Sequence, residues 1–201
     1  MLKKCSLHIV MLALALAFSH SRADAQVCFF DTWNQVYYNR PVGKSDISSV
    51  IWETAYEIYF EKKGYPENKD ADKHIVATLD STAWRINSKY LKKEFSGDGA
   101  LLRGYVPLFF NDRVAYATYL PFDDSNARLE YYYIDFQKRE VSKVTHKSLP
   151  KLLADYPDLK MRYEGLKDQK NPDVILDFFL DYVERACDDP MRPLIMDLEK
   201  R

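Results

Sequence analysis

Few side chains in this sequence could do chemistry, and they lie in short polar runs. His74 follows Asp70 and Asp72 in the run D-A-D-K-H, which could supply oxygen and nitrogen ligands to a divalent metal. The run lies in a lysine-rich stretch with loop-forming residues, so we favour the alternative interpretation, a solvated loop. His146 lies between a predicted strand and a helix start, and nothing near it marks it as a general base. We interpret it as a surface histidine.

The other polar motifs are weaker. The run Asp123-Asp124-Ser125-Asn126 lacks the spaced ligands and closing glutamate of an EF-hand, so it predicts a turn. The glycines from Gly97 to Gly104 fit neither a dinucleotide-binding pattern nor a P-loop. Carboxylates are plentiful, so an Asp/Glu pair for glycoside hydrolysis stays open, although no pair is singled out. The sequence therefore predicts no catalytic residue, no metal ligand and no cofactor.

Cysteine chemistry is limited to one pairing. Cys5 lies in the predicted leader described below, which leaves Cys28 and Cys187 in the mature chain. An exported compartment permits disulfides, so we predict that Cys28 and Cys187 pair. Two unpaired, partly buried thiols are the alternative. These two cysteines form no CxxC redox motif, and they are too few for a cysteine-rich zinc site.

Aromatic residues are the remaining lead, because the chain holds 15 Tyr, 11 Phe and 3 Trp. Tyrosine and tryptophan are favoured at binding surfaces, and they are also favoured in ordinary strands, which is the alternative. The clearest hairpin is G-Y-V-P-L-F-F-N-D-R-V-A-Y-A-T-Y, in which Asn111 and Asp112 suit a tight two-residue turn. We predict a binding surface of Tyr105, Phe109 and Tyr116 on one face of this hairpin.

The opposite face of the hairpin is aliphatic. Alternation places Val106, Leu108, Phe110, Ala115 and Ala117 on it, with Leu108 opposite Ala115. Since alanine allows close approach, we predict that the C-terminal helices cover this face. Tyr105 and Tyr116 would then stay partly exposed.

The remaining elements follow from periodicity and capping signals. Alternation predicts a single strand over 50–60, strands at 74–79 and 82–87, and a hairpin of 128–136 with 140–145. Helices are predicted to begin at Ser88, near Ser148, at Pro157 and at Asn171-Pro172-Asp173. The sequence thus predicts an α+β fold, an antiparallel sheet of about five to seven strands with C-terminal helices packed on one face. We predict that residues 26–201 form one domain, mainly β over 26–146 and helical over 147–190.

Composition bounds the class of protein. The chain has 201 residues, of which 47% are hydrophobic and 29% charged, as expected of a globular domain rather than a disordered chain. Lysine plus arginine number 29 against 30 acidic residues, so no excess positive charge indicates a nucleic-acid partner.

The N-terminus reads as a signal peptide over residues 1–25. Lys3 and Lys4 precede an apolar run over 9–18, and Ala23-Asp24-Ala25 is a small-x-small cleavage pattern. We predict cleavage after Ala25 and a soluble, exported mature chain with no transmembrane segment. Lipid attachment at Cys28 is the alternative, but Val27 replaces the small residue that a lipobox requires.

Several stretches resemble a group of exported, uncharacterised proteins of Bacteroidota bacteria. They are AYEIYFEKKG, WRINSKYLKKEFSGD, GYVPLFFNDRVAYATY, YYYIDFQKREVSKVT and LLADYPDLKMRYEGLKD. The resemblance covers Tyr56 to about Val183. The resemblance implies export and a bacterial cell-envelope setting, periplasmic or extracellular. It implies no activity and no catalytic residue.

Three functions remain open. We favour a non-enzymatic binding module that contacts an unknown envelope protein or glycan through its aromatic sheet face. A carboxylate-based hydrolase acting on glycan or peptidoglycan is the alternative, and it requires two carboxylates about 5–10 Å apart in a cleft. A structural component of a larger envelope complex would show a long apolar patch instead.

Overall fold

The computed structural model describes residues 26–46, 50–54, 57–60, 74–79, 83–121 and 128–199. Its strands are β1 Gln26–Phe30, β2 Gly43–Asp46, β3 Val50–Thr54, β4 Glu57–Phe60, β5 Val76–Leu79, β6 Ala83–Asn87, β7 Ser96–Gly97, β8 Tyr105–Phe110, β9 Ala115–Tyr119, β10 Glu130–Asp135 and β11 Glu140–Lys143. Its helices are α1 Trp33–Tyr37, α2 Ser88–Glu94, α3 Leu149–Leu152, α4 Pro157–Glu164, α5 Pro172–Asp188 and α6 Ile195–Glu199. Short 3₁₀ turns cover Asp98–Leu101 and Leu153–Asp155.

The sheet confirms the predicted α+β class. Its strands follow the order β2-β1-β5-β6-β8-β9-β10-β11-β7, and β3 and β4 join beside β8. All pairings among these strands are antiparallel except the short parallel pairing of β7 with β11. The eleven described strands exceed the number expected, because several are only two to four residues long and carry too little alternation to be read from sequence.

The segment 50–60 is a hairpin and not the single strand that alternation predicted. Val50 pairs with Phe60 and Trp52 pairs with Ile58, so the chain reverses between β3 and β4. The alternation of side chains continues over the whole of 50–60, and for that reason the sequence alone could not show that the chain reverses.

The β8–β9 hairpin has a longer loop than predicted. Phe110 pairs with Ala115 and Leu108 pairs with Ala117, which leaves residues 111–114 in the loop. Asn111 closes this loop, because its side-chain oxygen accepts from the backbone N–H groups of Arg113 and Val114, each at 2.8 Å. The predicted register is therefore wrong by two residues. A shift of two keeps every side chain on its expected face.

Two hydrophobic clusters lie on opposite faces of the sheet. Cluster 1 takes the aliphatic positions of β8 and β9 together with buried residues of α1, α2 and α6; it includes Trp33, Leu91, Val106, Leu108, Ala115, Ala117 and Ile195. Cluster 2 joins the other face of β9 and β10 to α3, α4 and α5; it includes Val114, Tyr133, Leu149, Leu159, Tyr163, Phe179, Tyr182 and Ala186.

The C-terminal helices α3 to α5 thus cover the aromatic face, and the prediction that they cover the aliphatic face is wrong. Phe179 of α5 packs edge-on against Tyr116, with ring centroids 5.4 Å apart. Large rings offer α5 more apolar area to bury than alanines do. The shorter helices α1, α2 and α6 cover the aliphatic face instead.

The helix starts agree well with their sequence signals. The side chain of Asn171 accepts from the backbone N–H of Asp173 at 3.0 Å, and Pro172 occupies the first turn of α5. Helices α3 and α4 likewise begin next to Pro150 and Pro157. The N-cap of α2 is Asn87, one residue earlier than predicted, because its side chain accepts from Lys89.

The segment after α5 crosses from one face of the sheet to the other. The guanidinium of Arg192 contacts the hydroxyl groups of Tyr133 and Tyr182 on the cluster 2 side. Three residues later, the backbone N–H of Ile195 donates to the carbonyl of Asp112 at 2.8 Å, and the Ile195 side chain is buried in cluster 1. We call residues 189–199 the C-terminal crossing.

Candidate functional site

The predicted binding residues Tyr105, Phe109 and Tyr116 do not form an open aromatic surface. Tyr105 is 4% exposed, and its hydroxyl donates to the backbone carbonyl of His74 at 3.1 Å. The rings of Phe109 and Tyr116 stack with centroids 5.0 Å apart, and both side chains are half-buried. The expectation that Tyr105 stays partly exposed is wrong, whereas Tyr116 is half-buried, as expected, although Phe179 of α5 packs against it. A role of these residues in binding stays a prediction.

Burial also changes the acidity of this region. Desolvation raises the pKa of the Tyr116 phenol to about 12, and the neighbouring Tyr131 adds to the effect. A phenol held in its neutral form in this way is typical of a packed core position. Tyr116 therefore contributes to the packing of cluster 2.

Cys28 and Cys187 are free thiols in this structure, so the predicted disulfide is not formed. Cys28 is buried in cluster 1, whereas Cys187 packs against cluster 2. The sheet lies between the two clusters, and a disulfide needs Cα atoms within about 7 Å. Of the two interpretations that the sequence left open, the structure has the unpaired thiols.

A small pocket lies where β1, α1, α2 and α6 meet. Its volume is about 170 Å³, and it is lined by Asp31, Thr32, Trp33, Asn34, Ile75, Tyr90 and Met196. We call it the Trp33 pocket. It combines a carboxylate, a hydroxyl and an amide with an apolar wall of two rings, a thioether and an isoleucine, which is the usual make-up of a ligand site.

A capping box fixes the polar rim of the Trp33 pocket. Thr32 caps α1 by accepting from the backbone N–H of Gln35 at 3.3 Å. The side-chain oxygen of Gln35 in turn accepts from the backbone N–H groups of Asp31 at 2.8 Å and Thr32 at 3.2 Å. The backbone that carries Asp31 and Thr32 is therefore held in place, and its amide donors are already used.

The inner wall of the pocket is equally ordered. Trp33 is 1% exposed, and its indole N–H donates to the hydroxyl of Tyr90 at 3.2 Å. The same indole packs edge-on against Phe110 and Phe136 of cluster 1, with centroids 5.7 Å and 4.9 Å apart. Rings in such contacts keep one orientation, so the pocket is formed before any ligand arrives.

An aspartate–histidine pair stands at the pocket edge. The Nδ1 atom of His74 lies 2.5 Å from Oδ1 of Asp31, and the imidazole stacks on Phe29 with centroids 4.8 Å apart. The His74 side chain is 19% exposed and that of Asp31 is 48% exposed. The carboxylate thus orients the ring and itself stays accessible from the pocket.

Sequence reasoning missed this pair. It compared His74 with Asp70 and Asp72, which lie outside the described residues, as do the predicted turn at Asp123–Asn126 and the predicted signal peptide over residues 1–25. The true partner is 43 residues away, and it is reached because β1 pairs with β5. Only that strand pairing could have shown it.

A second depression runs along α5 and is lined by Tyr156, Asp181, Glu184, Arg185, Asp188 and Asp189. It is wide and shallow. Tyr156 donates to Asp189 at 3.1 Å, and Arg185 pairs with Asp158 at 2.6 Å. These carboxylates lie on an open surface, unlike the cleft that the hydrolase alternative requires.

Residues 111–188 match DUF6563, a family of unknown function. This segment contains every buried residue of cluster 2 but only Tyr116 of the three predicted binding residues. No curated protein matches the chain, and no solved structure matches it. In the part of the chain that the structure describes, no helix has the length and apolar character needed to span a bilayer. Those residues also hold no group of three or more His, Cys, Asp or Glu placed to bind a metal.

Proposed function

We propose that the protein is a non-enzymatic binding module of the bacterial cell envelope, and that it contacts an envelope protein or glycan through the Trp33 pocket. The observation that carries this proposal is the pocket itself. The polar side chains of Asp31, Thr32 and Asn34 line it together with apolar groups. Convergent polar groups around an apolar pocket provide orientation and contact area to a ligand.

The surroundings of His74 support binding rather than acyl transfer. An acyl-transfer site places a nucleophilic hydroxyl or thiol on the imidazole. Among the described residues, the ring of His74 contacts the carboxylate of Asp31 and the ring of Phe29. The contact with His74 fixes the Asp31 carboxylate, which stays accessible to a ligand.

The proposal includes export after removal of residues 1–25. The described part of strand β1 starts at Gln26, directly after the proposed cleavage site, so all described residues of the strand remain after cleavage. Cys28 is 7% exposed and lies between Lys44 of β2 and Thr78 of β5. A lipidated N-terminal cysteine would have to leave the sheet, which supports an unmodified Cys28.

Intact-mass measurement of the native protein tests this part. The expected mass is that of residues 26–201 without lipid. A mass that retains residues 1–25, or a diacylglycerol increment, would contradict it.

The binding role is tested by capture from the envelope. We would co-sediment the mature protein with purified peptidoglycan sacculi, screen it on a glycan array, and pull down partners from envelope extract. Asp31→Asn should weaken capture, because it removes the pocket's carboxylate. Asp177→Asn is the matched control, since Asp177 is exposed on α5, away from the pocket.

Two results would contradict the proposal. Equal capture by the wild type and a folded Asp31→Asn protein would show that the Trp33 pocket is not part of the binding surface. In that case Phe109→Ala tests the sheet-face residues in the same assay. Release of soluble sugar from sacculi over time would favour the carboxylate-based hydrolase instead.

A further inference from the structure

We infer that the Trp33 pocket takes a primary ammonium group on a short apolar chain, the chemistry of a lysine side chain. This inference rests on the proposed binding function and adds the class of ligand. It follows from the charge, the wall and the size of the pocket together.

Charge is the first observation. Among the described residues that line the pocket, Asp31 is the only one charged at neutral pH. Its Oδ1 atom contacts Nδ1 of His74, which lies outside the pocket lining. The second carboxylate oxygen remains for another donor, and an ammonium group supplies three.

The Asp31 carboxylate in the pocket lining argues against an anion. The backbone N–H groups of Asp31 and Thr32 already donate to the side chain of Gln35. A phosphate or carboxylate ligand would face the Asp31 carboxylate without these donors. The pocket therefore disfavours negative charge.

The wall and the volume suit an alkyl chain. The rings of Trp33 and Tyr90 and the thioether of Met196 line the pocket beside Asp31. Aromatic faces attract cations, and an apolar wall buries methylene groups. The volume of about 170 Å³ is smaller than that of typical small-molecule sites, and it accommodates one unbranched side chain.

The test is an NMR titration of the mature protein with Nα-acetyl-lysine amide. The reporter is the indole N–H signal of Trp33, assigned with a Trp33→Phe variant, because this group lies at the pocket wall. We expect a saturable shift with a Kd in the millimolar range. The Nε-acetylated analogue, which lacks the charge, should bind at least tenfold more weakly.

Variants separate the causes. Asp31→Asn should weaken binding at least tenfold, whereas the control Asp177→Asn should leave Kd unchanged. Asn34→Lys places a competing ammonium at the pocket rim and should abolish the shift without removing the carboxylate, so the test does not depend on one variant folding.

Equal binding of the charged and acetylated ligands, or binding unaffected by Asp31→Asn and Asn34→Lys, would overturn the inference. If the amine fails but envelope capture still depends on Asp31, the ligand class is wrong and the binding function stands. A shift of the Trp33 signal by a neutral sugar would show this case, in which the pocket binds a ligand other than an amine. If neither depends on Asp31, the proposed function fails as well.

Discussion

Replacement of Arg192 is the structural test for which we expect the largest change in the free energy of unfolding. Its guanidinium donates to the hydroxyl of Tyr133, and to that of Tyr182 at 2.9 Å. Both tyrosines are buried, and the Arg192 side chain is 16% exposed. Burial of the phenol raises the pKa of Tyr133, so its hydroxyl stays neutral and able to accept the bond.

Replacing Arg192 with methionine keeps much of the apolar stem and removes the guanidinium. Hydrogen bonds to a charged group contribute about 1.5–3 kcal/mol each, and an unpaired buried hydroxyl costs about 1–3 kcal/mol. The guanidinium is itself partly desolvated, which offsets some of this loss. We expect Arg192→Met to lower the free energy of unfolding by about 2–4 kcal/mol. Arg192→Lys should recover only part of it, because the lysine side chain ends one bond short of Nη2, the nitrogen that donates to both hydroxyls.

Urea denaturation followed by circular dichroism measures this difference. Arg103→Met is the matched control, because Arg103 is exposed, and we expect a change within about 0.5 kcal/mol there. A loss for Arg192→Met no larger than that of the control would refute the reasoning. The Tyr133 and Tyr182 hydroxyls would then have to find other partners without cost.

Three further predictions concern acidity, thiols and the β8–β9 loop. Because the pKa of Tyr116 is raised to about 12 from an ordinary value near 10, its contribution to stability is complete below about pH 10 and is lost as the pH rises towards 12. In the Tyr116→Phe protein, the free energy of unfolding should fall by about 2 kcal/mol less than in the wild type between pH 10 and pH 12. An equal fall in the two proteins would contradict this prediction. Thiol labelling of the native protein should modify the half-buried Cys187 and spare the buried Cys28 until the protein unfolds; a protein that is unreactive until a reductant is added would indicate a disulfide instead. Asn111→Ala should cost about 1–2 kcal/mol in urea denaturation, because two backbone N–H groups lose their acceptor, and Asn111→Asp, which keeps an acceptor oxygen, should cost less.

Local signals were enough to predict much of the secondary structure. The start of α5 at Asn171-Pro172-Asp173 and the hairpin of β10 with β11 depend on residues close together in sequence, and both are confirmed. The faces of β8 and β9 were also predictable, because side-chain alternation survives an error of two residues in register.

The choice of what covers each face was not predictable. Alternation shows that Tyr116 and Ala117 point in opposite directions, but it does not show which face meets α5. The pairing of His74 with Asp31 depends on β1 lying beside β5, which no local pattern encodes. Long-range strand pairing decided both the fold details and the candidate site.

The C-terminal crossing has a consequence for how the molecule folds. It joins Tyr133 and Tyr182 of cluster 2 to the Asp112 carbonyl and to cluster 1, where Ile195 is buried. Neither cluster is therefore complete until residues 189–199 are in place. Loss of this segment would leave both clusters open at once, so the two halves should melt in a single cooperative transition although they share no side-chain core. The same segment carries Met196, which lines the Trp33 pocket. The pocket therefore has its full lining only when residues 189–199 are in place.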